Sequence, residues 1–177
     1  MLDMCGGFGG RLLGFAASNC IEYVGTDPST KTYEGLVNLA SDIKQIKPNK
    51  SFTIFNQPFE DLDLPTDYFN VAFTSPPYFN TEIYSTEVSN SCNRYQTYIS
   101  WLHGFLEPMI NNATKAVKHG GCVIVNIADV KNAPNLSADC YNLMLASGLT
   151  RVDTYRMAFS SIAGKGVKYE PVYVFKK

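Results

Sequence analysis

Metal-binding side chains are scarce in this sequence. It has two histidines, His103 and His119, and five cysteines, none of them in a C-x-x-C pair. A structural zinc site needs several such ligands at close spacing, so the composition argues against a metal. The odd set Cys5, Cys20, Cys92, Cys122 and Cys140 argues for reduced thiols and a cytoplasmic protein rather than a disulfide framework. Long hydrophobic runs are missing too. No apolar stretch approaches the roughly 20 residues that a membrane span needs. Met1-Leu2-Asp3 leads straight into a glycine motif, so no signal peptide is expected. Nor is there an excess of positive charge, because the formal net charge is −1. A domain that grips nucleic acid chiefly by charge is basic, so any polyanion contact here is local or supplied by a partner. What is present is ordinary: 177 residues, 45% hydrophobic and 18% charged, fit one globular domain over residues 1–177.

Strand-like and helix-like stretches alternate along the chain. Met1–Cys5, Ile21–Thr26, Ser51–Asn56, Tyr68–Thr74 and Cys122–Ile127 read as strands. Gly10–Ser18 reads as a helix with Leu12, Leu13, Ala16 and Ala17 towards a sheet. A second helix starts after Asp27-Pro28, with Asp27 as its cap, and carries Tyr33, Leu36, Val37, Ala40 and Ile43. Residues 79–97 lack a period and read as a loop. Tyr98–Lys118 is the strongest helix, with Pro108 expected to kink it or to cost one backbone bond. Gly120-Gly121 reads as the turn that follows, and Leu136–Ser147 as a helix that Gly148 terminates. Arg151–Phe159 and Pro171–Phe175 follow as two strands around a turn at Gly164–Gly166, joined without a helix and so antiparallel. The alternation predicts an α/β fold: a mainly parallel sheet with helices on both faces.

Two motifs carry the chemistry. The first is Asp3-Met4-Cys5-Gly6-Gly7-Phe8-Gly9-Gly10, a strand end running into a glycine loop that opens a helix. Such a loop lets backbone approach a ligand closely at the carboxyl edge of a parallel sheet. A dinucleotide site needs G-x-G-x-x-G, and here Gly7-Phe8-Gly9 is followed by Leu12 at the third position, which disfavours NAD. Asp27 ends the second strand, where a carboxylate can accept hydrogen bonds from ribose hydroxyls; a plain helix cap is the competing role. The second motif is Thr74-Ser75-Pro76-Pro77-Tyr78, closing the apolar run Val71-Ala72-Phe73. Its prolines stiffen the backbone and remove two N–H donors, leaving a carbonyl acceptor beside a small hydroxyl.

Together, in this order, the two motifs resemble those of the S-adenosylmethionine-dependent amino-methyltransferases that act on nucleic-acid bases. The resemblance covers nearly the whole chain. It implies a Rossmann-like class I methyltransferase fold, seven strands with one reversed near an edge. Relative to that family's Asp-Pro-Phe-x-Gly-x-Gly pattern, Met4 and Cys5 replace the proline and phenylalanine. The implied donor site takes in Asp3, Cys5, Gly7, Phe8, Gly9 and Asp27. The turn Asn56–Asp61 would frame the adenine, with Phe59 packing on it and Glu60 or Asp61 near its amino group. The implied acceptor site is Ser75, Pro76, Pro77 and Tyr78. An exocyclic amine is a poor nucleophile because its lone pair is delocalised. Ser75 and the Pro76 carbonyl would accept its hydrogens and aim the lone pair, so positioning does most of the work. Tyr78 would stack on a flipped base. No strong base is evident.

The leading serine tilts the target towards cytosine N4 over adenine N6, as the resemblance has it, in the manner of restriction–modification enzymes. Phe79, Asn80, Glu82 and Tyr84 are further candidates for the base pocket. Arg94, Tyr95, Lys165 and Lys168 are candidates for phosphate contact. His103 has apolar neighbours in sequence and reads as structural, and Cys5 needs no chemical role. The helix that usually precedes the first strand of that family has no counterpart here, nor does a separate target-recognition domain, so DNA recognition would involve a partner chain or a further segment. RNA bases and protein glutamine are alternative acceptors, and a non-catalytic nucleic-acid-binding module is the rival from another class.

Overall fold

The computed structural model describes residues 1–81, 83–160 and 166–177. Glu82, Lys165 and most of the Gly164–Gly166 turn fall outside these residues. Among the described residues seven strands form one sheet in the order β3-β2-β1-β4-β5-β7-β6. β1 (Leu2–Asp3), β2 (Glu22–Thr26), β3 (Ser51–Phe55), β4 (Phe69–Thr74) and β5 (Val117–Asn126) run parallel. β7 (Val167–Lys176) is antiparallel to both β5 and β6 (Thr150–Ser160), so it is the single reversed strand. This is the predicted layout.

Alternation along the strands sends side chains to both faces. On β2, Tyr23 packs with Leu12 and Phe15 of α1 (Gly10–Ala17) and with Leu36, Ala40 and Ile43 of α2 (Thr30–Ile46). Its neighbour Val24 joins the larger core on the opposite face, with Trp101, Met109, Ile110 and Met144. That core is covered by a rod of α4 (Tyr98–Trp101), a π-helical turn over Leu102–Leu106 and α5 (Glu107–Ala116), and by α6 (Leu136–Ala146). The widened turn lies directly before Pro108, which has no N–H to give to the turn below, so the rod absorbs the proline by re-spacing its ladder.

Several boundaries differ from the sequence reading. Leu13 and Val37 are exposed, and the buried faces of their helices run through Leu12 and Phe15, and through Leu36, Ala40 and Ile43. α2 is capped by Ser29, whose side chain accepts from the Thr32 N–H, and not by Asp27. The 79–97 stretch contains α3 (Ser91–Arg94), capped by the Asn90 side chain. The rod ends at Ala116, and Gly120-Gly121 lies within β5 at a bulge, because β4 pairs with β5 on both sides of it: Phe69 with Val117, then Val71 with Cys122. Among the described residues no helix is long and apolar enough to cross a membrane.

The order of strands reverses between β1 and β4, which are hydrogen-bonded neighbours with Leu2 opposite Ala72. In open parallel sheets the crevice for ligands opens beyond the carboxyl ends at this point. The glycine loop leaves β1 there, and Ser75–Tyr78 leaves β4 beside it.

Candidate active-site cleft

A cleft of about 1260 Å³ occupies that position. One wall is the glycine loop. The Gly6 N–H donates to the Thr26 carbonyl at 2.8 Å, and the Gly7 N–H donates to Asp27 Oδ2 at 3.0 Å, so both tie the loop to the end of β2. Gly7 (φ 54°) and Gly9 (φ 83°) are left-handed, a conformation in which glycine alone is free of strain. α1 follows at once without a side-chain cap, so its first N–H groups remain available to an acceptor in the cleft. Phe8 is 90% exposed at the lip and meets Tyr84 edge-on at 6.4 Å.

Asp27 lines the cleft with its second oxygen, Oδ1, accepting from the Ser29 N–H at 3.0 Å. Burial pushes its carboxyl above the ordinary range, and the two backbone donors oppose that. Deeper in, Phe59 is buried and Glu60 carries a buried oxygen, Oε2, without a hydrogen-bond partner among the described residues. Burial raises the Glu60 carboxyl to about 7, against the pull of Arg94 Nη1 at 2.9 Å from Oε1. The physical consequence is a neutral acid in mildly acidic solution, held where a donor could replace its proton.

This has a measurable sign. The folded pKa lies above the ordinary 4.5, so the native state binds more protons than the unfolded chain between pH 4.5 and about 7. Stability contributed by Glu60 is therefore fully present at the low end and falls as pH rises through 7. Thermal melts across that window should show the fall in wild type and a flatter profile in Glu60→Gln; parallel profiles would contradict the assignment.

The other wall is the Pro-Pro motif. Ser75 Oγ lies 3.4 Å from Asn126 Oδ1, at the end of β5, and Asn126 Nδ2 donates to the Pro171 carbonyl at 3.1 Å. The Tyr78 hydroxyl donates to Glu170 Oε2 at 2.9 Å, and Lys168 Nζ donates to Oε1 at 3.0 Å. Met157, Phe159 and Val172 continue this wall along β6 and β7.

Cys5, Gly7, Phe8, Asp27, Phe59, Glu60, Ser75, Pro76, Pro77, Tyr78 and Tyr84 all border the cleft. Cys5 is held as a neutral thiol by burial, which raises it well above the ordinary thiol range. The remaining candidates stand elsewhere. Asp3 is fully buried beneath the loop, where Oδ1 accepts from Arg11 Nε at 2.9 Å and Oδ2 from the Tyr23 hydroxyl at 2.8 Å. Gly9 packs against α2, where an added Cβ would lie 2.6 Å from Leu39 Cδ2. Asp61 pairs with Arg94 at 2.7 Å outside the cleft, so Arg94 is engaged with carboxylates rather than open to phosphate. Tyr95 packs against the core beneath that guanidinium. Phe79 is buried edge-on against Tyr98 and Trp101, at 5.7 and 5.9 Å. The Asn80 side chain accepts from Asn132 at 3.1 Å. His103 is exposed and bonded to Glu107 at 2.6 Å, not packed among apolar neighbours.

Arg11, Asn126 and Glu170 are among the cleft residues that escaped the sequence reading. Each had a signal. Arg11 is the first charge after the glycines, Asn126 interrupts the apolar run of β5, and Glu170 stands alone in Tyr-Glu-Pro-Val-Tyr-Val-Phe.

No protein-family model matches the chain, and no curated protein matches it. Solved structures do match its fold. A S-adenosylmethionine-dependent methyltransferase from Mesorhizobium loti superposes with a TM-score of 0.64 at 10% identity, over 99% of this chain and 89% of that one. A SAM-dependent methyltransferase from Methanosarcina mazei gives 0.64 at 12% identity, over 99% and 91%. The [4+2]-cyclase SpnF gives 0.65 at 14% identity, over 99% and 74%. The chain thus has the Rossmann-like class I methyltransferase fold. The cyclase among its likenesses means that the fold leaves the reaction open, and the reaction must be argued from the site.

Proposed function

We propose that the protein transfers a methyl group from S-adenosylmethionine to an exocyclic amine of a DNA base, cytosine N4 ahead of adenine N6. The observation that carries the reading is the meeting of the glycine loop and Ser75–Tyr78 in one cleft, on adjacent strand ends at the switch in strand order.

The cleft's donor set fits the methyl donor. Asp27 offers carboxylate lone pairs to ribose hydroxyls beyond those its two backbone bonds use. The orphaned Glu60 oxygen, beside Phe59, suits an adenine amino group. S-adenosylmethionine, when bound, supplies an electrophilic methyl on a sulfonium. Everything else falls to the chain. Ser75 Oγ and the Pro76 carbonyl accept the two hydrogens of the amine, bending it towards tetrahedral and aiming its lone pair at the methyl. Tyr78, fixed through its hydroxyl by Glu170, stacks on the acceptor ring. After transfer the nitrogen is cationic and strongly acidic, so its proton leaves to water or to a nearby acceptor without a strong base. Positioning of this kind can supply about 7–11 kcal/mol of barrier reduction.

Asp27→Ala should weaken S-adenosylhomocysteine by about tenfold or more, the cost of losing a charged hydrogen-bond acceptor. Isothermal titration reads this directly, and unchanged affinity would reduce Asp27 to a tether for the glycine loop.

The reading itself is tested by incubating the purified chain with methyl-labelled S-adenosylmethionine and duplex DNA, single-stranded DNA, RNA or protein. Label in DNA, absent with Ser75→Ala, is the expected result. Label in RNA or protein alone would move the acceptor, and no label with intact cofactor binding would favour a binding module.

A further inference from the structure

Arg11 lies in the first turn of α1, just past the glycine loop. Its guanidinium is fixed at two points: Nε donates to Asp3 Oδ1 at 2.9 Å, and Nη2 donates to the Cys5 carbonyl. Its central carbon lies 5.9 Å from the ring centre of Phe73, two residues before Ser75. Nη1 makes no hydrogen bond among the described residues, and the side chain, 19% exposed, lines the cleft. One end of Arg11 thus neutralises a buried carboxylate while the other faces the space between the two motifs.

The charges around that space are unequal. Among the described lining residues the acidic side chains are Asp27, Glu60, Glu87 and Glu170, and the basic ones are Arg11 and Lys31. Among the charged side chains only those two cations attract a ligand's carboxylate, and Arg11 stands beside the uncapped N–H groups that open α1. Lys31 is an exposed residue of α2, four residues past Asp27 and on the ribose side. Arg11 is beside Phe73, on the side where the reacting carbon must lie next to Ser75. An amino-acid group attached to the sulfur is therefore within the reach of Arg11. Its planar fork, already fixed by Asp3 and Cys5, loses little freedom on binding an anion.

We propose that Arg11 binds the α-carboxylate of the methionine moiety of S-adenosylmethionine through its open Nη1. This rests on the donor assignment above and assigns Arg11 a part that Asp3 alone does not explain, since Asp3 occupies only the Nε side. Arg11 holds the amino-acid end while Asp27 holds the ribose, and the sulfonium is suspended between them beside Ser75.

The test compares two ligands by isothermal titration: S-adenosylhomocysteine, which has the carboxylate, and 5′-methylthioadenosine, which lacks the amino-acid group. Arg11→Lys keeps a cation opposite Asp3 but removes the fork. The paired change Arg11→Gln with Asp3→Asn removes both charges, so neither is left buried alone, and thermal melts establish that each variant is folded. Both should weaken S-adenosylhomocysteine by about tenfold or more, the scale of a lost charge-assisted bond, with methylthioadenosine changed by less than about twofold. Equal losses for both ligands would overturn the proposal and make Arg11 a brace for the loop. Unchanged binding of S-adenosylhomocysteine would overturn it as well. If wild type binds neither ligand, the donor assignment falls and the proposal with it; wild type binding both ligands while the variants behave like it sinks the proposal alone.

Discussion

Tyr78→Ala should lower methyl transfer by about 100-fold or more, on the scale of a reactant misplaced by an ångström, while S-adenosylhomocysteine affinity stays within about twofold of wild type, a change of under about 0.4 kcal/mol. The asymmetry follows from where Tyr78 stands. It lines the cleft on the β4 side, and its hydroxyl is held by Glu170 at 2.9 Å on β7, whereas the proposed donor contacts come from the glycine loop, the end of β2 and the turn at Glu60. Removing the ring takes away the proposed stacking surface for the acceptor and the rigid end of the Pro-Pro turn, and leaves Asp27 and Glu60 untouched. Tyr78→Phe separates the ring from its hydrogen bond. It should retain stacking and lose only the orientation that Glu170 imposes, a smaller fall in kcat. Equal loss of cofactor binding and turnover in Tyr78→Ala would place the tyrosine on the donor side instead.

Asp3→Ala should cost about 3–5 kcal/mol of stability, the range for removing one partner of a buried ion pair. Asp3 is wholly inaccessible and serves both Arg11 and the Tyr23 hydroxyl. Burial and the neighbouring carboxylate raise the Tyr23 hydroxyl far above the ordinary range, so it stays a neutral donor that cannot take up the missing charge. Alanine leaves a cation under the glycine loop and a hydroxyl without its acceptor. A fall in melting temperature of roughly 6–20 °C is expected for a chain of this size. Asp3→Asn retains an acceptor and should lose less. A melt of Asp3→Ala indistinguishable from wild type would refute the brace and return Asp3 to direct ligand binding.

The sequence revealed the architecture well because period and punctuation report on local structure. The alternation of elements, the reversed last strand and the placing of both motifs at strand ends are all local signals. Contacts between distant segments carry no such signal. Tyr78 and Glu170 are 92 residues apart and meet only because β7 inserts between β5 and β6. Asn126 reaches Ser75 across 51 residues for the same kind of reason. The misplaced candidates fail by geometry within one or two residues. Phe79 follows Tyr78 directly, yet its φ of 55° turns it into the core against Trp101. Asp3 opens the glycine motif, yet strand alternation sends it down towards Tyr23 while Leu2 joins the other face. Asp61 adjoins Glu60 and shares its partner Arg94, but one step along the short turn carries its side chain out to solvent, outside the cleft.

The central claim is that one cleft brings a methyl donor to an exocyclic amine held at Ser75–Tyr78. It is tested most directly by mass spectrometry of nucleosides from the DNA of a methylation-deficient host expressing this chain, beside a Ser75→Ala control. N4-methylcytosine, or N6-methyladenine, present with wild type and absent with the control is the predicted result. Unmodified DNA from a host in which the chain is folded and binds S-adenosylhomocysteine would contradict it.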